Sequence, residues 1–202
     1  MNDRAIPLKK VPQIKLDQLS RKRNHQGAVG IISAVEYQNI RDIIPLIYER
    51  GETPNILILE GITDVRNVGA IARSAEVLGA HAIVFPLSNS AEINEDAIKT
   101  SAGALLSIPL CRESNLFKTI DYLKESGFHI ICSALDGDTN IFEIDMTGPL
   151  ATIIGSEQKG VSSELIKKSD KTFKIPQLGK TDSLNVSVAS GIILYECIKQ
   201  RR

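Results

Sequence analysis

The stretch Asn55-Ile-Leu-Ile-Leu-Glu60, continued through Gly61, Gly69 and Gly79 to Ala82-Ile-Val-Phe85, decides the fold. Its two ends are short apolar runs of the kind that buried strands show. Between them, Gly61 to Gly69 reads as a loop with two glycines. Ala70 to Leu78 reads as a helix, and Gly79 supplies its C-terminal stop. Strand, crossover helix and strand within about thirty residues make a βαβ unit, which imposes parallel pairing.

The alternation extends outward from this unit. Downstream it predicts a helix near 92–102, a strand from Ile108 to Cys111, a helix near 114–126 and the strand Phe128-His-Ile-Ile-Cys-Ser133. Asp136-Gly137-Asp138 marks a turn. Then come the strand Ala151-Thr-Ile-Ile154, a helix near 162–168, a strand from Thr172 to Ile175 and a final helix. Upstream, Asn39 to Arg50 reads as a helix with Ile40, Ile43, Ile44 and Ile47 on one side, and Pro45 is expected to shorten or kink it. His25 to Ser33 looks like a short strand entered through Gly27, and residues 1–24, with Pro7 and Pro12, read as an arm. The expected organisation is a basic arm or linker with short lead-in elements over 1–50 and an α/β domain over 51–202. That domain is a mostly parallel sheet flanked by helices.

The 202 residues suffice for one substantial core, and 43% apolar with 24% charged is an ordinary globular composition. Trp is absent and aromatics are 4%, so stacking platforms for single-stranded RNA are not the expected binding device. Net charge is zero, yet residues 1–23 carry +5, which leaves the remainder at −5. A basic arm on a mildly acidic body suits an anionic partner such as RNA, or is a solvated tail without one. Cys111, Cys132 and Cys197 are scattered, which argues against a disulfide framework or a zinc site and for buried small hydrophobes. No metal is expected. There is no apolar leader pattern and no membrane-length apolar run, so the expected location is cytoplasmic.

Three loops stand where strands end, the edge at which α/β proteins bind ligands. The first is Asp64-Val-Arg66-Asn67-Val-Gly69-Ala-Ile-Ala-Arg73. The second is Ile153-Ile-Gly155-Ser-Glu157-Gln-Lys-Gly160-Val161. The third runs from Ile175-Pro176 to Ser183-Leu-Asn185. No GxGxxG is present, and Gly155 and Gly160 lack the Lys-Ser/Thr of a phosphate loop, which excludes the common nucleotide folds. There is no GxSxG elbow, and His25, His81 and His129 lie outside all three loops, so nucleophilic hydrolysis is not expected. Ser183 can cap the final helix. Leu184, Val188, Ile192 and Tyr195 then share one face, while Asn185 and Ser187 add polar groups to the first turn. That is either an ordinary capped helix or a helix start holding a polar ligand or nucleic-acid group.

Taken together, the three loops resemble the signature motifs of the SpoU/TrmH family of RNA ribose 2′-O-methyltransferases. The first matches as Asn67, Gly69 and Arg73. The second matches as Gly155, Glu157 and Gly160, and the third as Ile175-Pro176 followed by Ser183-Leu-Asn-Val-Ser-Val-Ala189. The resemblance covers roughly residues 55–200, and His25-Gln-Gly looks like the linker of the RlmB-like branch, which modifies a guanosine of 23S ribosomal RNA. It implies a C-terminal trefoil knot, an obligate homodimer, and S-adenosylmethionine bound in the knot. Gly155, Ile175 and Leu184 would line that cofactor pocket. The implied catalytic group is Arg73, Asn67, Glu157, Ser183 and Asn185.

In the family the arginine matching Arg73 is assigned as general base. A guanidinium holds its proton to a pKa above about 12. The reading adopted here is that Arg73 binds the target phosphate and 2′-oxygen and stabilises developing negative charge. Asn67 and Asn185 would orient the ribose and the loops, and Glu157 would fix Arg73 or that of the dimer mate. Ser183 would serve as cap or phosphate contact. Many RlmB-like proteins carry a small RNA-binding domain before the linker, and the residues ahead of the first motif strand are too few for it. The alternatives are a tRNA 2′-O-methyltransferase and a catalytically silent RNA-binding or ribosome-assembly protein on the same scaffold.

Overall fold

A computed structural model of the protein describes residues 8–30, 34–181 and 183–202. The chain divides into two units, Met1–Ser33 and Ala34–Arg202. In the first, the expected arm contains a helix, α1 (Gln13–Leu19), that buries none of its residues. The strand expected from His25 is not there over 25–30, and 31–33 lie outside the described residues. Gln26 and Gly27 both adopt positive φ, and His25 Nδ1 accepts from Gly27 N at 3.0 Å, so the backbone turns instead of extending.

The second unit is built on eight strands: β1 (Tyr37–Gln38), β2 (Asn55–Glu60), β3 (Ala82–Pro86), β4 (Leu110–Glu113), β5 (His129–Ser133), β6 (Thr139–Asn140), β7 (Leu150–Gly155) and β8 (Lys171–Lys174). They form one sheet in the order β1-β4-β3-β2-β7-β5-β8-β6, and every pair is parallel. The helices are α2 (Ile40–Glu49), α3 (Val65–Val77), α4 (Glu95–Thr100), α5 (Ala104–Ser107), α6 (Leu116–Glu125), α7 (Ser163–Lys168) and α8 (Val186–Gln200).

The strands read as unbroken apolar runs because both faces are covered. Ile56 and Ile58 point into one core with Val84, Cys111, Ile130, Ile153 and the isoleucines of α2. Leu57 and Leu59 point into the other with Phe85, Ile131, Phe173 and the buried sides of α3 and α8. Each such side chain, fully buried, contributes about 1.5–3 kcal/mol. Helix α2 runs on through Pro45, with Asn39 as its cap. All three cysteines are buried, and burial pushes the Cys111 and Cys132 thiols up to about 12.

Two polar devices close the N-terminal edge of the sheet. Asn55 N donates to His81 Nδ1 at 3.0 Å, which puts the imidazole proton on Nε2, 3.2 Å from Glu52 Oε2. Burial holds His81 below the usual histidine range, and Glu52 offsets part of that. Arg201, just past α8, donates to the carbonyls of Met146, Thr53, Pro54 and Gly148. Its guanidinium therefore pins the end of α8 across β2 and β7.

The structure moves two helix starts from their expected places. Helix α3 begins at Val65, because Asp64 caps it by accepting from Arg66 N at 2.8 Å. Gly69 therefore lies inside the helix. A Cβ there would meet Ala97 O at 2.7 Å and Thr100 Cβ at 2.8 Å, so the glycine permits close packing of α4 on α3. Helix α8 is capped by Asn185, whose Oδ1 accepts from Ser187 N at 2.9 Å, and not by Ser183.

Candidate functional site

The strand order turns at the centre of the sheet. From β2 the chain winds outward through β3 and β4 to one side, while β7 and β5 lie on the other. Strands β2 and β7 run in register from Asn55↔Leu150 to Glu60↔Gly155, so their following loops emerge side by side. Such a switch point at the C-terminal edge is where open α/β sheets make a crevice.

The loop after β7 folds back on itself. Gly160 N donates to Ser156 O at 2.8 Å, and the two residues form an antiparallel bridge. Gly155 lies under this turn. A Cβ on it would sit 2.1 Å from Gly160 C and 2.3 Å from Val161 N, so only glycine fits. Behind the turn is a cavity of about 300 Å³, the low end of the range for small-molecule sites. Gly155, Ile175 and Leu184 all line it, as do Ser183 and Glu157. Its apolar walls with a close backbone approach suit a flat heterocycle, and Lys174 and Ser133 at its border offer polar contacts. These features fit S-adenosylmethionine. Ser133 at the end of β5 and Ala134 to Asp136 after it also line the cavity, where the sequence marks only the turn Asp136-Gly137-Asp138.

The three motifs meet at the start of α8. Asn185 Nδ2 donates to Asn67 Oδ1 at 3.1 Å and to Glu157 Oε1 at 2.6 Å, and Val186 N donates to the same Glu157 oxygen at 3.0 Å. Glu157 thus places a carboxylate on a helix N-terminus, where negative charge is favoured. One amide joins the first, second and third motifs.

Arg73 stands apart from this group. It is exposed on α3, six residues beyond Asn67, about one and two-thirds turns further round the helix. It lines neither this cavity nor its neighbour, and among the described residues no hydrogen bond or ion pair to it occurs. Within one chain Glu157 therefore meets Asn185 and Val186, not Arg73.

A second cavity of about 350 Å³ adjoins the first. It is lined by Gly61 to Asp64 and Asn67 from the loop after β2 and start of α3, by Asn89 after β3, and by Ser156 to Lys159 with Val186. Ser156, Glu157, Gln158, Lys159 and Val186 border both cavities. Asp64 at its edge is held below the usual carboxylate range by the Arg66 side chain, which reaches it at 3.1 Å.

The site is thus a pair of adjoining cavities at the switch point of a parallel α/β sheet. The chain belongs to the SpoU rRNA Methylase family, whose profile matches residues 54–195. A second profile, for RNA 2′-O ribose methyltransferase substrate binding, matches residues 1–38. A Mycobacterium sp. (strain KMS) protein named as an uncharacterized tRNA/rRNA methyltransferase is 36% identical over 99% of this chain. The chain spans 64% of that relative's length. The 23S rRNA (guanosine-2′-O-)-methyltransferase RlmB of Vibrio parahaemolyticus is 36% identical over 98% of this chain and 79% of its own length. Among solved structures, an AdoMet-bound rRNA methyltransferase from Sinorhizobium meliloti superposes with a TM-score of 0.73 at 27% identity, covering 81% of this chain and 61% of that one. A complex of the SpoU methyltransferase AviRb from Streptomyces viridochromogenes with AdoMet gives 0.68 at 30% identity, covering 74% of this chain and 58% of AviRb. Among the described residues no helix is long and apolar enough to cross a membrane.

Proposed function

We propose that the protein transfers a methyl group from S-adenosylmethionine to a ribose 2′-hydroxyl of RNA, that of a guanosine in 23S ribosomal RNA. The observation that carries this reading is the pair of cavities with a common wall at the junction of the three motifs. The cofactor supplies an electrophilic sulfonium methyl: the 2′-oxygen bonds to that carbon, the sulfur keeps the C–S electron pair, and the hydroxyl proton leaves to solvent. Gly155, Ile175 and Leu184 hold the cofactor, and Ser183 lies at its border. Asn67 and Asn185, fixed by Glu157, orient the ribose. Support for the RNA class comes from the names of the relatives and from the substrate-binding profile over the segment where the positive charge is concentrated.

The reading includes a trefoil knot over the C-terminal part of the chain, in keeping with the family and with the way the loops after β7 and β8 close round one cavity. It also includes a homodimer in which Arg73 of a second copy reaches the 2′-oxygen. Two features favour this. Arg73 is exposed and has no hydrogen bond or ion pair among the described residues, and the face of α8 bearing Val188, Ile192 and Tyr195 is exposed while Val186, Ile193, Leu194 and Cys197 are buried. A helix apolar on most sides is covered by something. Light scattering should give twice the chain mass at micromolar concentration, and a stable monomer would remove Arg73 from the site.

A ligand that binds only the native state raises apparent stability. S-adenosylmethionine at about a hundred times its Kd should raise Tm by about 5–10 °C. Ribosomal RNA from cells lacking the protein should accept labelled methyl groups at a ribose. A cofactor-dependent shift without transfer to any RNA would favour the catalytically silent alternative.

A further inference from the structure

The geometry points to the second cavity as the seat of the target base, with Asn89 as the residue that reads the base edge. This rests on the methyl-transfer reading, since a nucleoside whose 2′-oxygen meets the shared wall must put its base on one side of it. Asn89 stands on the loop between β3 and α4, outside all three motifs. It adopts a left-handed φ of 56°. Its Nδ2 lies 3.4 Å from where a Cβ on Gly61 would be, so the amide rests over that glycine.

The loop carrying Asn89 is braced at both ends. Ala91 N donates to Ile62 O at 3.0 Å, Arg112 donates to Ala91 O at 3.0 Å, and Ser90 Oγ donates to Pro86 O at 2.8 Å. The Asn89 amide itself has no hydrogen bond among the described residues, although its loop is fixed on either side. Asn tolerates this left-handed backbone, so the loop presents the exposed amide at the cavity border without strain. An amide presents a donor and an acceptor side by side. Guanine offers the complement on its Watson–Crick edge, with O6 accepting from Nδ2 and N1–H donating to Oδ1. Asn67, with its oxygen taken by Asn185, keeps its own amide nitrogen for the ribose below.

The test uses the full chain with Asn89→Gly and Asn89→Asp, because Gly and Asp tolerate the left-handed backbone and leave the loop in place. Guanosine 5′-monophosphate, added to the cofactor-bound protein, should move the backbone amide resonances of Gly61, Asn89 and Lys159. Asn89→Gly should weaken that binding about tenfold or more. In methyl transfer to the unmodified rRNA, Asn89→Gly should raise KM about tenfold with a smaller change in kcat and an unchanged cofactor Kd. Asn89→Asp loses the donor to O6 but can still accept from guanine N1–H and its 2-amino group, so it should retain more guanosine binding than Asn89→Gly. Nucleotide that leaves these resonances unmoved, or an Asn89→Gly enzyme with wild-type KM, would overturn the assignment of Asn89 while leaving the methyl-transfer reading standing. Wild-type protein that binds the nucleotide here but transfers no methyl group would do the reverse.

Discussion

Gly155→Ala is expected to abolish S-adenosylmethionine binding. The added Cβ would lie 2.1 Å from the Gly160 carbonyl carbon, 2.2 Å from its oxygen and 2.3 Å from Val161 N, all of them backbone atoms. Ordinary carbon contacts lie near 3.5–4.0 Å, so relief requires a backbone shift of about an ångström or more. The turn can give way only by breaking the Ser156–Gly160 bridge, which is the cavity wall. Strand β7 can give way only by losing its terminal pair with Glu60 at the centre of the sheet. Either route removes the site. Cofactor affinity should fall at least a hundredfold, about 2.8 kcal/mol. Calorimetric titration measures it, and far-UV circular dichroism shows that the variant still folds. Wild-type affinity in a folded Gly155→Ala chain would mean that the cofactor does not use this cavity.

Arg73→Ala should lower kcat by about a hundredfold to a thousandfold while changing cofactor affinity less than twofold. Removal of one group that stabilises developing negative charge has effects of this size. Arg73 lies on α3 and lines neither cavity of its own chain, so its loss leaves the cofactor contacts intact. Arg73→Lys keeps the charge without the planar fork, and should recover part of the activity at most. Mixed dimers extend the test. Coexpression of Arg73→Ala chains with Gly155→Ala chains should restore about one competent site per heterodimer, if a cofactor-binding chain draws its arginine from the other copy. Absence of any recovery would place Arg73 in its own chain's site.

Much of this arrangement was legible in the sequence. The β2–α3–β3 unit follows from two apolar runs and a glycine stop, and the loops after β2, β7 and β8 do lie on one edge. What periodicity could not resolve were elements of two residues, such as β1 and β6, which are too short to show a pattern. Gly69 lies in a helix and not in the expected loop, because a glycine needed for helix packing looks in sequence like one needed for a turn. Ser183 and Asn185 are both good caps, and only the contact with Glu157 selects the second. Of the stripe Leu184, Val188, Ile192 and Tyr195 legible in the sequence, Leu184 precedes α8 and lines the first cavity, while the other three form an exposed face of the helix. The second cavity was invisible because its walls come from separated segments, and Asn89 carries no motif of its own.

The wall formed by Ser156 to Lys159 and Val186 has two sides, so the two ligands proposed above would share one thermodynamic account. Whatever the presence of one ligand does to the free energy of that wall is felt by the other. If a bound methyl donor stiffens the turn and so tightens RNA by some factor, RNA tightens the methyl donor by the same factor. If methyl transfer occurs here, the demethylated cofactor would face the same turn with one methyl group and one positive charge fewer. On the methyl-transfer reading proposed above, the affinities for demethylated cofactor and for modified RNA would be linked through the same five residues, which binding titrations of each ligand with and without the other would measure.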